Sequence, residues 1–281
     1  MSVAQRVRIP MPSRLRKRVD NYVRWKLSQR LLRDIFARCV LIADSPGLWR
    51  VEPMPEAAVL DRFYQLAYWP TRLDKDRILR DRDVGQFLHL QEFLQRIEGG
   101  SHQKKALNFG SGHGGISYLL MANGFQVTNL DVVDPRIPTC NFVQTLDVIQ
   151  EPFDLVYSSH SLEHVRDAKE VVRSFDKILK PGGLIYLEVP NSFNYLSRED
   201  VDFSHALHPP HTFYFVPDFF RLLPYRILDL DTYIYSGNPY GRATKADRGE
   251  VIRVILQRQA RPVLPDDFLG TLSKSVDSFE S

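Results

Sequence analysis

Cysteine is scarce in this chain: Cys39 and Cys140 are the only two among 281 residues. Two thiols build no disulfide framework, and neither stands in a paired metal-ligand spacing. The expectation is a reducing compartment, the cytoplasm. No apolar run reaches the roughly 18 residues that a membrane-crossing helix requires, and the basic N-terminal stretch leads into no apolar core of a secretory signal. Internal repeats and low-complexity tracts are missing as well. What is present is an ordinary globular composition, 43% hydrophobic and 25% charged. Such a chain is long enough for one substantial core with an accessory helical region beside it.

Charge is unevenly placed. Residues 1–38 hold eleven Lys/Arg against Asp20 and Asp34, a net +9, so the rest of this +3 chain sums to −6. Within the basic segment, residues 13–40 read as a helix. Ser13 can cap it, and Leu15, Val19, Tyr22, Val23, Leu27, Leu31, Ile35 and Cys39 recur at three- and four-residue spacing. The favoured reading is a helix packed on the protein through this stripe; contact with an anionic membrane and a grip on an anionic partner are the alternatives. Pro46-Gly47, Pro53 and Pro55 break the pattern, and a mostly helical stretch follows to Ile97. The expected organisation is a basic helical leader (1–50), a helical cap or substrate region (51–104), a main domain (105–260) and a polar tail (261–281).

From Lys105 onward short apolar strands alternate with helices, the pattern of a parallel sheet. Strands are expected at Ala106–Phe109, Gln126–Leu130, Asn141–Gln144, Leu155–Ser158, Leu184–Val189, Arg226–Thr232 and Val251–Gln257. Helices are expected at Gly114–Ala122 and Asp167–Leu179. The first strand runs into Asn108-Phe109-Gly110-Ser111-Gly112-His113-Gly114-Gly115. Glycines there let the backbone turn sharply and let a ligand approach it, at the strand end where open α/β sheets bind their ligands. Gly110, Gly112 and Gly115 also satisfy the dinucleotide spacing G-x-G-x-x-G. Asp131, about twenty residues further on at the end of the second strand, can accept from both ribose hydroxyls. A nucleoside is implied, and NAD(P) and S-adenosylmethionine both fit that far.

Further along, Pro152-Phe153-Asp154-Leu155-Val156-Tyr157-Ser158-Ser159-His160-Ser161-Leu162-Glu163-His164-Val165 is followed by Leu179-Lys180-Pro181-Gly182-Gly183 and then by Val189-Pro190-Asn191. In this order the motifs resemble the class I S-adenosylmethionine-dependent methyltransferases, nearest the type 11 and type 23 small-molecule branch, over residues 105–257. The resemblance implies an α/β fold with a Rossmann-like seven-stranded sheet of order 3-2-1-4-5-7-6, the last strand antiparallel. An N-terminal helical extension and a lid insertion at about 191–216 would complete it. S-adenosyl-L-methionine is the implied cofactor. Gly110, Gly112 and Gly114 would face its methionine part and sugar, with Asn108 and Ser111 in the same loop. Asp131 would take the ribose hydroxyls, Val132 the adenine, and Asp147 with Val148 the adenine amino group. Ser158 and Ser159 would end the fourth strand beneath the sulfonium. Asn108 departs from the family, which usually has an acid there.

Methyl transfer from a sulfonium is an in-line displacement, so positioning supplies much of the rate, and a hydroxyl acceptor needs a base as well. The candidate bases are His160 at the rim of the fourth strand, and His205, His208 and His211 in the lid. Three lid histidines at three-residue spacing raise the question of zinc. Pro209-Pro210 would break any helix that aligned them and no cysteine joins them, so no metal is expected. Glu163-His164 reads more readily as structural. Tyr64, Tyr68 and Trp69 could cover the cofactor or simply pack helix on helix.

The expected function is transfer of a methyl group, O-methylation being favoured, to a small-molecule, glycan or lipid-linked acceptor. Alternatives are a nucleic-acid or protein methyltransferase, or a catalytically silent cofactor-binding homologue. The Asn/Asp-Pro-Pro-aromatic tetrad of amino-methylating DNA enzymes is missing after the fourth strand, so nucleic acid is not the expected partner. No hydride-transfer constellation supports an NAD(P)-dependent oxidoreductase. Peripheral contact with an anionic membrane would fall to residues 1–38.

Overall fold

The computed structural model describes residues 13–65, 79–97, 103–196, 210–235 and 243–259. Helix α1 (Ser13–Phe36) leads into a hairpin of β1 (Val40–Ser45) and β2 (Leu48–Glu52), then α2 (Ala57–Phe63) and α3 (Asp81–Leu94). The alternating region follows as β3 (Lys105–Phe109), α4 (Gly115–Ala122), β4 (Gln126–Leu130), β5 (Asn141–Val143), β6 (Phe153–Ser159), α5 (Ala168–Ile178) and β7 (Leu179–Pro190). After it come α6 (Phe193–Leu196), β8 (Phe213–Phe215), α7 (Pro217–Arg221), β9 (Arg226–Tyr235), β10 (Ala243–Lys245) and β11 (Val251–Gln257).

The main sheet has the order β10-β9-β11-β7-β6-β3-β4-β5. Counted from its β5 edge this is 3-2-1-4-5-7-6 with an eighth strand added. The pairs β3–β4, β3–β6, β4–β5 and β6–β7 are parallel, whereas β11 runs antiparallel to both β7 and β9. The eighth strand corrects the expected seven. It is only Ala243-Thr244-Lys245, paired with the end of β9, and it carries no apolar run that would mark it in the sequence.

Strand alternation divides the core in two. Leu107, Val156, Ile185, Leu187, Ile252 and Val254 pack on one face with Val172 and Phe175 of α5 and Phe219 and Phe220 of α7. Ala106, Leu155, Tyr157, Leu184, Tyr186 and Ile255 pack on the other with Phe87 and Leu90 of α3 and Ile116 and Leu120 of α4. The same alternation puts Glu188 and Arg253 on the α3 face, and both are buried.

The leader differs from its expected form. The helix stops at Phe36, and residues 40–45 form a strand instead of its last turn. Val40-Leu41-Ile42 is better suited to a pleated strand than to a helix. Pro46-Gly47, expected only to break the pattern, is the two-residue loop of a hairpin in which Ser45 faces Leu48. Gly47 has φ of 76°, the left-handed position that favours glycine after a turn proline. The hairpin pairs with β8, Leu48 opposite Phe215, in a second, three-stranded sheet. Ser192 N–H donates to the Phe215 carbonyl at 2.8 Å, which ties this sheet to the end of β7. Leu32 and Phe36 of α1 pack with Cys39, Val51, Leu60, Phe63 and Tyr214. Tyr22, Val23, Leu27 and Leu31, expected on the packed stripe, are exposed. Among the described residues no helix is long and apolar enough to cross a membrane.

A Cβ at residue 47 would overlap the backbone nitrogen of Phe219 as well as sit at an unfavourable φ. Gly47→Ala is therefore expected to destabilise the fold by more than about 1 kcal/mol. The measure is a lowered urea midpoint with unchanged slope; an unshifted midpoint would contradict the seating of the hairpin on α7.

Candidate active site

A cavity of about 690 Å³ opens at the carboxyl ends of β3, β4 and β6. The glycine loop forms one wall, Asp131, Val132 and Gln144 a second, and residues 159–166 a third; Arg82, Asp83 and Gln86 of α3 close it with Tyr64 and His211. The loop is tied down from below. Gly110 and Ser111 N–H groups donate to the Leu130 carbonyl at 2.8 and 3.0 Å. Gly112 N–H donates to Asp131 Oδ2 at 2.8 Å, and Val132 N–H to Asp131 Oδ1 at 2.7 Å. Gly110 and Gly114 have φ of 68° and 72°, and a Cβ on them would run into Ser161 and Ile137 respectively.

Asn108 serves a local purpose at the position where an acid was the family expectation. Its Nδ2 donates to Ser117 Oγ at 2.9 Å, and Ser117 Oγ donates in turn to Asn129 Oδ1 at 2.6 Å. This neutral, buried chain joins β3, α4 and β4 beneath the loop, where an unpaired carboxylate would be costly.

The cavity wall brings together Asn108, Gly110, Ser111, Gly112, Gly114, Asp131, Val132, Ser159, His160 and His211. Three expected cofactor residues are elsewhere. Ser158 is buried, one step along β6 from the cavity-lining Ser159. Asp147 and Val148 are exposed on the short turn Leu146–Val148, outside the cavity lining. Gln144 lines the wall on that side, its Nε2 donating to the Val132 carbonyl at 3.2 Å. His205 and His208, with Tyr68 and Trp69, lie outside the described residues.

The site also holds a network with no counterpart in the sequence reading. Glu188 is fully buried at the end of β7. Its carboxylate accepts from Gln86 Nε2 at 2.5 Å, from Arg253 Nε at 2.5 Å and from the Tyr235 hydroxyl. Gln86 further donates to Ser159 Oγ at 2.8 Å and accepts from the Tyr157 hydroxyl at 2.6 Å, which bolts α3 to the sheet. Burial disfavours the charge on Glu188, but His160, Arg253 and Arg82 outweigh it and hold the carboxyl well below its ordinary range. The sequence signal was one acid inside Leu184–Val189 and one arginine inside Val251–Gln257; they are register partners.

His160 follows β6 with φ of 49°. Its Nε2 lies 3.2 Å from Glu188 Oε1 and its Nδ1 3.4 Å from Glu163 Oε1. Burial opposes its charge, yet the two carboxylates win and raise its pKa above the ordinary histidine value. Glu163 is also buried. Desolvation would push its pKa up, but His164, His160 and His211 bring it down to about 2.

A glycine loop tied to an acid at the next strand end, on this sheet order, defines a nucleoside-binding Rossmann-like domain. Residues 78–223, just over half of the chain, match the family model described as a methyltransferase domain. The chain belongs to that family. It is 32% identical over 116 residues to the ubiquinone biosynthesis O-methyltransferase of Idiomarina loihiensis, covering 35% of this chain and 47% of that protein. The same figure holds over 120 residues for the Yersinia pestis enzyme of that name, covering 37% and 49%. The matched stretch thus spans about half the length of these curated relatives. Among solved structures, the S-adenosylmethionine-dependent methyltransferase of Mesorhizobium loti is similar at 16% identity and a TM-score of 0.46, over 62% of this chain and 98% of that one. The N-methyltransferase NodS of Bradyrhizobium japonicum is similar at 17% identity and a TM-score of 0.45, over 72% and 97%.

Arg253 also stacks over the Tyr233 ring at 4.5 Å. Arg253→Met would leave the Glu188 carboxylate buried without this counter-ion, at a cost of about 3–5 kcal/mol. Urea unfolding measures it. Recovery of part of the loss in the neutral pair Glu188→Gln/Arg253→Met is expected, and a single-variant loss below about 1 kcal/mol would refute the buried pair.

Proposed function

We propose that this chain transfers a methyl group from S-adenosyl-L-methionine to a hydroxyl oxygen of a small-molecule, glycan or lipid-linked acceptor. The observation that carries the proposal is that the Asp131-anchored glycine loop and His160 line the same cavity. The residues fit the cofactor. A cavity of 690 Å³ is in the range of nucleotide-sized ligand sites. Ser111 Oγ is buried at its wall with no hydrogen-bond partner, a polar atom suited to a ligand group. Asp131 lines the same cavity, and its carboxylate is held in place by the two backbone N–H bonds from Gly112 and Val132.

When bound, the cofactor supplies an electrophilic methyl carbon on a sulfonium. The chain's own part is to bind, orient and deprotonate. Asp131 takes the ribose, the loop from Gly110 to Gly114 takes the amino-acid end, and Val132 and Gln144 flank the base. Glu188 receives Nε2 of His160 and sets the ring, so that Nδ1 is the nitrogen that accepts a proton from the acceptor hydroxyl. A buried carboxylate orienting a histidine base is an economical way to fix its tautomer. Similarity to proteins named as O-methyltransferases over a third of the chain supports oxygen as the atom methylated.

Two variants separate binding from chemistry. Asp131→Ala should weaken S-adenosylhomocysteine by about 1.5–3 kcal/mol, roughly 10- to 150-fold, in calorimetry. Unchanged affinity would remove the cofactor assignment. His160→Ala should keep that affinity while methyl transfer to hydroxylated acceptors falls by about 10²–10⁴. Near-full turnover would exclude this histidine as the base.

A further inference from the structure

Glu163 is the second buried carboxylate of the cavity, and it is treated very differently from Glu188. Its side chain is 1% exposed, yet neither carboxylate oxygen accepts a hydrogen bond. A buried, ionised acceptor left in that state is costly, and in native proteins it marks a place for an ion or a ligand. Three imidazoles surround it. His160 Nδ1 and His164 Nε2 lie 3.4 and 3.7 Å from Oε1, neither in hydrogen-bond geometry. His211 comes from the chain just before β8 and meets the His164 ring edge-to-face, with centroids 4.7 Å apart. One ligand atom from each of Glu163, His164 and His211 lies within 4.8 Å of the others.

We propose that Glu163, His164 and His211 form a site for a divalent first-row transition-metal cation, opening on the cavity.

The arrangement is held before any ion arrives. His164 Nδ1 lies 3.4 Å from the Pro210 carbonyl. Donation of the Nδ1 proton there turns the Nε2 lone pair toward Glu163, the outer-shell orientation that metal-binding histidines use. Thr212 N–H donates to the Glu163 carbonyl at 2.8 Å, and Thr212 Oγ1 to the Val165 carbonyl at 2.6 Å. These bonds lock the residue after His211 onto the turn that carries Glu163 and His164. Without a proton or a cation between them, a carboxylate and an imidazole lone pair at 3.7 Å repel. One carboxylate with two imidazoles suits zinc, iron, manganese or cobalt and leaves coordination positions open, whereas magnesium and calcium favour oxygen donors. The set differs from the His205, His208, His211 spacing of the sequence. Only His211 is shared, and its partners come from the far end of a different strand.

The site stands without the cofactor reading, but its use rests on that reading. An acceptor hydroxyl in an open coordination position gives up its proton more readily. The proton passes to His160, the oxygen lone pair forms the new O–CH₃ bond, and the S–CH₃ bonding pair returns to sulfur.

The test uses the full, untagged chain stripped with a chelator, without any nucleoside present. Calorimetry with Zn²⁺ is expected to give one equivalent per chain, and Co²⁺ a visible absorption band. His164→Ala and His211→Ala should each weaken Zn²⁺ by at least about tenfold and abolish the band, while His205→Ala and His208→Ala leave both unchanged. Circular dichroism before metal addition reports folding, and if either alanine variant unfolds, Glu163→Gln replaces it. Zn²⁺ should raise the melting temperature of the parent chain and not that of the ligand variants. No saturable binding, equal affinity in the ligand variants, or loss confined to His205→Ala and His208→Ala would each overturn the proposal. Binding of S-adenosylhomocysteine is measured separately, so failure of the metal site and failure of the cofactor reading are distinguishable.

Discussion

The carboxylate of Glu188 is the constraint on which the site is built. An ion removed from water must be answered by charge and hydrogen bonds placed around it, or it destabilises the fold by several kcal/mol. Here the answers come from four elements: Arg253 from β11, Gln86 from α3, Tyr235 from β9 and His160 from the end of β6. Each of those elements is thereby fixed at the carboxyl edge of the sheet. Gln86 of α3 and Glu188 of β7 stand 102 residues apart in the sequence, and their hydrogen bond spans that gap. The Gln86 amide reaches Ser159 and Glu188, while its carbonyl receives Tyr157.

The accessory layer obeys a simpler rule. A sheet face must be covered, and the hairpin of β1 and β2 has two faces. Leu48 joins the main core beside Phe213 and Phe215, whereas Val51 joins Leu32 and Phe36 of α1 with Leu60 and Phe63 of α2. Helices α1 and α2 therefore belong to a core of their own. They cover a small sheet that is itself anchored to the end of β7 through Ser192 and Phe215. This anchoring is what brings His211 and Tyr64 to the cavity, since Tyr64 follows α2 and His211 precedes β8.

Much of the central fold was legible because its signals are local. A glycine run after an apolar strand, an acid at the end of the next strand, and alternation of strand and helix are all read within short windows. The strand order was legible only through a resemblance, because pairing partners are distant in the chain. The hairpin was missed because Pro46-Gly47 marks a break whether or not the flanking strands pair, and β8, its partner, lies over 160 residues away. Glu188 and Arg253 were legible in principle, each a lone charge in an apolar strand, but their meeting depends on the register of β7 with β11. Asp147 illustrates the reverse case. The family resemblance implied a role for it, yet the turn from Leu146 to Val148 leaves its side chain in solvent.

Glu163-His164 shows why a structural reading and a functional one need not compete. The turn does hold the chain together, for the Glu163 carbonyl receives Thr212 and so positions the strand that follows. That work falls to the Glu163 backbone carbonyl, and it makes no use of the Glu163 carboxylate. The two buried carboxylates of the cavity then differ in a way that chemistry can use. Glu188 is saturated by an arginine, an amide and a hydroxyl, which makes it a fixed charge that orients His160. Glu163 meets imidazoles among the described residues, with neither oxygen hydrogen-bonded, and that is the state the proposed cation would complete. Saturation suits a residue that must not move, and incompleteness suits one that must bind.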